Sequence, residues 1–300
     1  MNTIELNRVR KTYDQFVAVD DLSFNIEQGT VFGLLGPNGA GKTSTIRMMI
    51  GITAPDSGTI GIFGRPFARK SLEKIGYLPE ERGLYKKMKV LDQLVFLAEL
   101  HGMNASAAKE KAVQWCERLE IAEKLQNKVE ELSKGMQQKI QFIAALLHDP
   151  DFVIMDEPFF GLDPVNATLL KDVLLDLKKQ GKTILFSTHR MDQVEKLCDS
   201  ICLVNRGRSV LQGKLAKVKA QYGKNNVQIE YDGNGDFLEH SQLVGSYNNY
   251  GNYVEVRLAP GADPQQLLRM VAERSRVSKF EVMEPSLEEI FIDVVGKDDA

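Results

Sequence analysis

The stretch Gly36-Pro37-Asn38-Gly39-Ala40-Gly41-Lys42-Thr43 constrains this chain more than any other. It fits the pattern G-x-x-x-x-G-K-[ST], and the apolar run Val31-Phe32-Gly33-Leu34-Leu35 stands just before it. That run predicts a buried strand, and Lys42 through Met49 predicts a helix. A glycine-rich turn between such a strand and a helix start suits an anion. Glycine lets backbone N–H groups turn inward without a Cβ clash, and the helix start adds the positive end of its dipole. Lys42 supplies a point charge for β- and γ-phosphates, and the Thr43 hydroxyl is of the kind that sits on Mg²⁺. Gly36, Pro37, Asn38, Gly39, Ala40, Gly41, Lys42, Thr43 and Ser44 are therefore the candidate nucleotide-binding residues.

Such a loop needs a second carboxylate for the metal and a group to orient the attacking water. Phe152-Val153-Ile154-Met155-Asp156-Glu157 offers both at the end of a predicted strand. Ligands of open α/β sheets bind at the C-terminal ends of strands. Asp156 is assigned to Mg²⁺, through water, and Glu157 to the hydrolytic water.

The remaining chain reads as alternating strands and helices, which implies a mostly parallel sheet covered by helices. Leu22, Phe24 and Ile26 alternate as one strand face, and Ile60–Phe63, Ile75–Leu78 and Thr183–Ser187 read as further strands. Residues 90 to 147 look helical. Leu91, Leu94, Val95 and Ala98 keep helical spacing, as do Ala112, Trp115, Cys116 and Leu119, so Trp115 is expected in the core. Met136, Ile140, Ile143 and Leu147 form a third stripe, with Ser133 at its N-cap. Asp163 and Pro164 start a helix that Gly181 ends. Arg206-Gly207 predicts a hairpin turn. Cys198 and Cys202 would lie one turn apart if that stretch were helical. After about residue 215 the texture shifts to a small α+β unit, with a helix capped at Ser286.

Composition narrows the function classes. The 38 basic and 41 acidic residues give a net charge of −3 and pI is about 5.9, which argues against a nucleic-acid binder. No run of 18 apolar residues occurs, so no span of a membrane is expected. The start lacks the pattern of a secretory signal. Three cysteines are too few for a disulfide framework.

Six segments in order resemble the ATP-binding cassette (ABC) ATPases, the motor subunits of ABC transporters. They are the loop at 36–43, Tyr77-Leu78-Pro79-Glu80, Leu132-Ser133-Lys134-Gly135-Met136-Gln137, the strand ending in Asp156-Glu157, Gly161-Leu162-Asp163 and Ser187-Thr188-His189. The resemblance covers residues 1 to 213. It implies a P-loop NTPase of α/β class, a mixed sheet with a helical subdomain at 81–150. A linker helix at 214–225 and a small α+β accessory domain at 226–300 would follow. It implies that Ser133 and Gly135 meet the γ-phosphate held by a partner subunit. It further implies that His189 contacts the γ-phosphate, that Glu80 sits in the metal-contacting Q-loop, and that Tyr13 stacks on adenine. Cofactors would be ATP and Mg²⁺. Partners would be a second copy, in a homodimer sandwiching two ATP, and a separately encoded membrane permease docking near residues 80 to 100. The site of action would be the cytoplasmic face of the cell membrane.

The pattern from Tyr77 to Tyr85, the Lys-Gly-Met signature and the tail Glu284-Pro285-Ser286-Leu287-Glu288-Glu289-Ile290-Phe291 resemble one prokaryotic exporter group, related to sodium-efflux and daunorubicin-resistance ATPases. Glu80, Lys134, Met136 and Phe160 depart from the common family pattern. Two alternatives stand beside the exporter reading. One is a non-transport ABC ATPase acting on ribosomes or DNA, which would usually carry two motor domains or a long coiled coil. The other is a module that senses ATP without turnover.

Overall fold

The computed structural model describes residues 1–81, 83–222, 226–233 and 235–298. Arg82 of the Tyr77–Tyr85 pattern, residues 223–225 of the expected linker, and Asn234 and residues 299–300 of the expected accessory domain lie outside the described residues. The chain forms two compact units, Met1–Lys214 and Leu215–Ala300.

The first unit opens with three strands and a helix: β1 (Asn2–Tyr13), β2 (Phe16–Glu27), β3 (Val31–Leu35) and α1 (Lys42–Met49). Then come β4 (Ser57–Ile62), β5 (Arg65–Pro66) and β6 (Ile75–Leu78). The helical region holds α2 (Val90–Leu100), α3 (Ala105–Arg118) and α4 (Lys134–Leu146). The unit closes with β7 (Phe152–Asp156), α5 (Pro164–Lys179), β8 (Thr183–Thr188), α6 (Met191–Leu197), β9 (Ser200–Asn205) and β10 (Arg208–Lys214).

Six strands form the main sheet in the order β10-β9-β3-β8-β7-β6. All are parallel except the edge strand β10. Strands β3, β7 and β8 are buried along their whole length. That is why they read as continuous apolar runs rather than as alternation. A second, antiparallel sheet has the order β2-β1-β4-β5, so the single sheet expected from the sequence is two. Strand β1 escaped the sequence reading because its alternation breaks. The pairing with β2 shifts between Leu6 and Val9, where Arg8 adopts φ +48°, and the inward face moves by one residue. Ile4, Leu6 and Val19 of this sheet share one core with Ile46 and Met49 of α1 and with Leu34 and Ile154 of the main sheet.

The helices begin and end for local reasons. Ser133 Oγ accepts from the Met136 N–H at 3.2 Å and caps α4. Asp163 accepts from the Asn166 N–H at 2.9 Å, with Pro164 as the first residue of α5. Helix α4 buries more than the expected stripe. Gln138, Lys139 and Gln141 are buried as well, and Lys139 Nζ donates to the Leu119 carbonyl at 2.9 Å. Trp115, expected in the core, is only partly buried, with the Arg118 guanidinium 5.2 Å from its ring centre. Cys198 and Cys202 are not on one helix. The first caps the end of α6 and the second lies in β9.

The second unit contains α7 (Leu215–Gln221), β11 (Asn226–Asp232), α8 (Asp236–Glu239), β12 (Val244–Asn249), β13 (Val254–Leu258), α9 (Pro264–Arg274), β14 (Arg276–Met283) and α10 (Leu287–Asp298). Its sheet order is β12-β13-β11-β14, antiparallel throughout. From β11 to β14 this is the split β-α-β-β-α-β arrangement. Strand β12 was not expected, because an edge strand of Asn, Gly and Ser carries little apolar alternation. The Ser286 hydroxyl accepts from the Glu289 N–H, and the Glu289 carboxylate accepts from the Ser286 N–H, a reciprocal cap on α10.

Candidate active site

Parallel pairing brings distant segments level with each other. Leu35 pairs with Thr188, Asp156 with Ser187 and Leu78 with Met155. The C-terminal ends of β3, β8, β7 and β6 therefore lie side by side. The loop at 36–43, His189, Asp156-Glu157 and Pro79-Glu80 follow directly from those four ends.

The glycine loop wraps the start of α1. Gly41 has φ +106°, and a Cβ there would run into the Ala18 carbonyl oxygen. A Cβ at Gly36 would run into the carbonyl of Val204. Both positions need glycine because other strands press against the loop. Nothing lies within 4 Å of where a Gly39 Cβ would sit, so that side of the loop is open. The Ala40 N–H is bonded to the Pro37 carbonyl at 3.2 Å, and the Ala40 carbonyl accepts from the Gly207 N–H at 2.9 Å. Arg206 and Gly207, both with positive φ, form the expected hairpin turn and brace the loop. The first-turn N–H groups at Lys42, Thr43 and Ser44 have no partner within the helix, by its geometry.

Lys42 is 7% exposed, and its Nζ donates to the carbonyls of Gly36 at 2.8 Å and Pro37 at 3.1 Å. Burial pushes its pKa down, while the carboxylates of Glu157, Asp156 and Glu80 pull the other way. The three acids singled out in the sequence thus all act on this one ammonium group.

Asp156 is almost fully buried and uses both oxygens. Oδ2 accepts from Thr43 Oγ1 at 2.9 Å, and Oδ1 accepts from the Ser187 hydroxyl. A hydroxyl and a carboxylate within hydrogen-bond distance are hard oxygen donors of the type Mg²⁺ takes. No group of three or more His, Cys, Asp or Glu that could hold a metal occurs among the described residues.

Glu157 sits in the left-handed region, at φ +50°. Its Oε1 accepts from the His189 N–H at 3.0 Å and lies 2.7 Å from His189 Nδ1. Its Oε2 accepts from Thr188 Oγ1 at 2.9 Å. The carboxylate is held in one orientation by three groups from the end of β8. The His189 side chain is 45% exposed, so it joins this anchored acid to the open side of the site.

The other expected residues lie further out. Glu80 is exposed on the loop after β6. Ser133 is exposed at the tip of α4, and the Gly135 Cβ position is 3.7 Å from Leu162 Cδ2. Among the described residues no hydrogen bond joins Ser133 or Gly135 to Gly36–Ser44. Tyr13 ends β1, paired with Phe16 across the hairpin and 38% exposed, with Lys11 Nζ 5.6 Å from its ring centre. Sequence reasoning passed over the roles of Ser187 and Thr188. Two hydroxyls at the C-terminal end of a buried parallel strand were the available signal.

A parallel sheet with an anion loop on a central strand, and a hydroxyl–carboxylate pair beside it, defines a P-loop nucleotide hydrolase. Comparison with known proteins narrows this. The ABC transporter family matches residues 19–160, and the C-terminal domain of DrrA1-3-like ATP-binding proteins matches residues 213–295. The chain is 47% identical over 293 residues to YhaQ, an ABC transporter ATP-binding protein of Bacillus subtilis, covering 98% of both chains. It is 37% identical over 254 residues to the Nod factor export ATP-binding protein I of Burkholderia pseudomallei, covering 81% of this chain and 83% of that one. A solved ATP-binding subunit of an ABC transporter superposes with a TM-score of 0.68 at 30% identity, over 74% of this chain and 93% of that one. The chain belongs to the ATP-binding, ATP-hydrolysing subunits of ABC transporters. No helix among the described residues is long and apolar enough to cross a membrane.

Proposed function

We propose that this chain is the motor of an exporter, acting at the cytoplasmic face of the cell membrane on a separately encoded permease. The observation that carries the reading is the convergence of Lys42, Thr43, Asp156, Glu157 and His189 on one anion loop. The nucleotide phosphates lie along Gly36–Ser44, with the Lys42 ammonium turning from its own carbonyls to the β- and γ-phosphates. Thr43 and Asp156, with Glu80 from the neighbouring loop, would hold Mg²⁺, which neutralises charge developing on the phosphates. Glu157, its orientation fixed by Thr188 and His189, accepts a proton from the attacking water. His189 keeps Nδ1 on Glu157 and its ring contacts the γ-phosphate. Tyr13 stacks on the adenine.

Ser133 and Gly135 serve the nucleotide held by a second copy. The exposure of Ser133 at the N-terminus of α4 supports this. ATP closes the dimer and hydrolysis reopens it. The export direction is supported by the similarity to Nod factor export ATP-binding proteins. Permease docking is placed at residues 80 to 100, where Tyr85 and Phe96 form an exposed edge-to-face pair, ring centres 6.0 Å apart.

Two variants test the motor reading. Lys42→Ala is expected to lose most ATP affinity, and unchanged binding would refute its role. Glu157→Gln is expected to bind ATP, accumulate dimers and lose turnover by at least about 100-fold; normal hydrolysis would end the assignment. Purification from native membranes should bring down a multi-span membrane protein. Recovery of the chain alone would count against the transport reading.

A further inference from the structure

Helix α4 carries Gln137, Gln138 and Gln141 in its first eight residues, and the amide of each is bonded to main-chain carbonyls outside the helix. Gln137 Nε2 donates to the Val129 and Leu132 carbonyls at 3.2 and 3.1 Å, beside the signature segment. Gln138 Nε2 donates at 3.1 Å to the Pro158 carbonyl, the residue directly after Glu157. Gln141 Nε2 donates to the carbonyls of Pro79 at 3.2 Å and Glu81 at 3.0 Å, one on each side of Glu80.

Gln138 and Gln141 are three residues apart, so they share a face of the helix. They are 3% and 5% exposed. Buried amides in such places hold what they touch, because leaving the carbonyls unpaired is costly. The Gln141 amide is more specific still. Both its donors serve the Glu80 loop, while its own Oε1 is buried with no partner. Reversing the amide would aim that oxygen at two carbonyl oxygens, so the orientation is set by the loop. Glu157, on the other branch, sits at φ +50°, a conformation that persists only where neighbours enforce it. Helix α4 itself is packed on most of its circumference and begins at Ser133.

We propose that Gln138 and Gln141 are positioning residues through which helix α4 sets the placement of Glu157 and Glu80 together, so that turnover in a chain follows the stance of its own signature helix. This rests on the roles given to Glu157 and Glu80 under Proposed function. The two amides form one rod-mounted clamp. Neither is hydrogen-bonded to the loop at 36–43, so the main-chain cradle for the phosphates is left intact in their variants.

The test is steady-state Mg-ATP turnover of the full chain. Gln138→Met and Gln141→Met keep side-chain length and helix propensity but remove the donors. Each is expected to lower kcat about 10- to 100-fold, with KM within twofold of the parent. The double variant is expected to fall little further than the worse single one, because the two act as a unit. Gln138→Glu adds a pH readout. Relative to the parent at each pH, its turnover should recover in acid, where a protonated carboxyl again donates to Pro158, whereas Gln138→Met should not recover.

A kcat within twofold of the parent in both methionine variants overturns the proposal. So does a KM that rises as far as kcat falls, or a double variant that loses the product of the single losses. If a methionine variant no longer melts cooperatively, the glutamate variant decides, and a flat ratio across pH overturns the assignment. Lys42→Ala, run alongside, separates the two levels. If it turns over like the parent, the nucleotide-site reading falls and takes this inference with it.

Discussion

His148 follows α4, and its protonation should weaken the helical region in acid. Its ring stacks on His101 with centres 3.8 Å apart and planes 10° from parallel. Nε2 lies 3.2 Å from the Ile75 carbonyl, so the neutral ring carries its proton there. Nδ1 is buried with no partner. A second proton would sit on that nitrogen with nothing to accept it. Burial pushes the His148 pKa down to about 4, with His101 and Lys111 acting the same way and the Ile75 carbonyl and Asp149 opposing. Burial lowers His101 as well. The unfolded chain titrates near 6.5 and takes the proton first. Stability is therefore lost progressively as pH falls from about 6.5 to about 4, and no further below that.

The fall from 6.5 to about 4 corresponds to about 3 kcal/mol for a ring sealed from water. This ring is partly exposed, and screening reduces the effect to about 1–2 kcal/mol. Trp115 is the chain's sole tryptophan and lies on α3, in the same region, so its fluorescence reports the right segment. Urea unfolding followed by that signal at pH 7.5 and 4.5 should show the parent losing about 1 kcal/mol more than His148→Gln, which keeps a donor for Ile75. Equal losses in the two proteins would refute the argument.

Three further outcomes are expected. Gly41→Ala meets both a φ of +106° and the Ala18 carbonyl, so ATP affinity should fall at least about tenfold by equilibrium titration, and an unchanged Kd would show that the loop tolerates a side chain. His189→Ala removes one of the three groups on Glu157 but leaves the backbone N–H, so kcat should drop about 100-fold while ATP binding holds, and equal changes in both would point to a binding role instead. Ser286→Ala breaks the reciprocal cap on α10 and should cost the C-terminal unit about 1 kcal/mol; a melting curve identical to the parent's would refute that value.

What could be read directly from the chain was local. The anion loop announces itself because backbone approach demands glycine at 36 and 41 and charge demands Lys42. The buried strands β3, β7 and β8 are continuous apolar runs, and the caps at Ser133, Asp163 and Ser286 are set within three residues of their partners. Strand β1 was hidden by its bulge, and with it the second sheet of the first unit, while β12 was hidden by its polar edge position.

The order of strands in the main sheet is the step no local pattern contains. Thr43 and Asp156 are 113 residues apart, and Glu157 and His189 are 32 apart. They meet because β7, β8 and β3 pair in parallel at one register, a choice made by packing the whole core. The partners of Gln138 and Gln141 belong to the same class. A glutamine on a helix names no acceptor until tertiary packing brings Pro158, Pro79 and Glu81 against it.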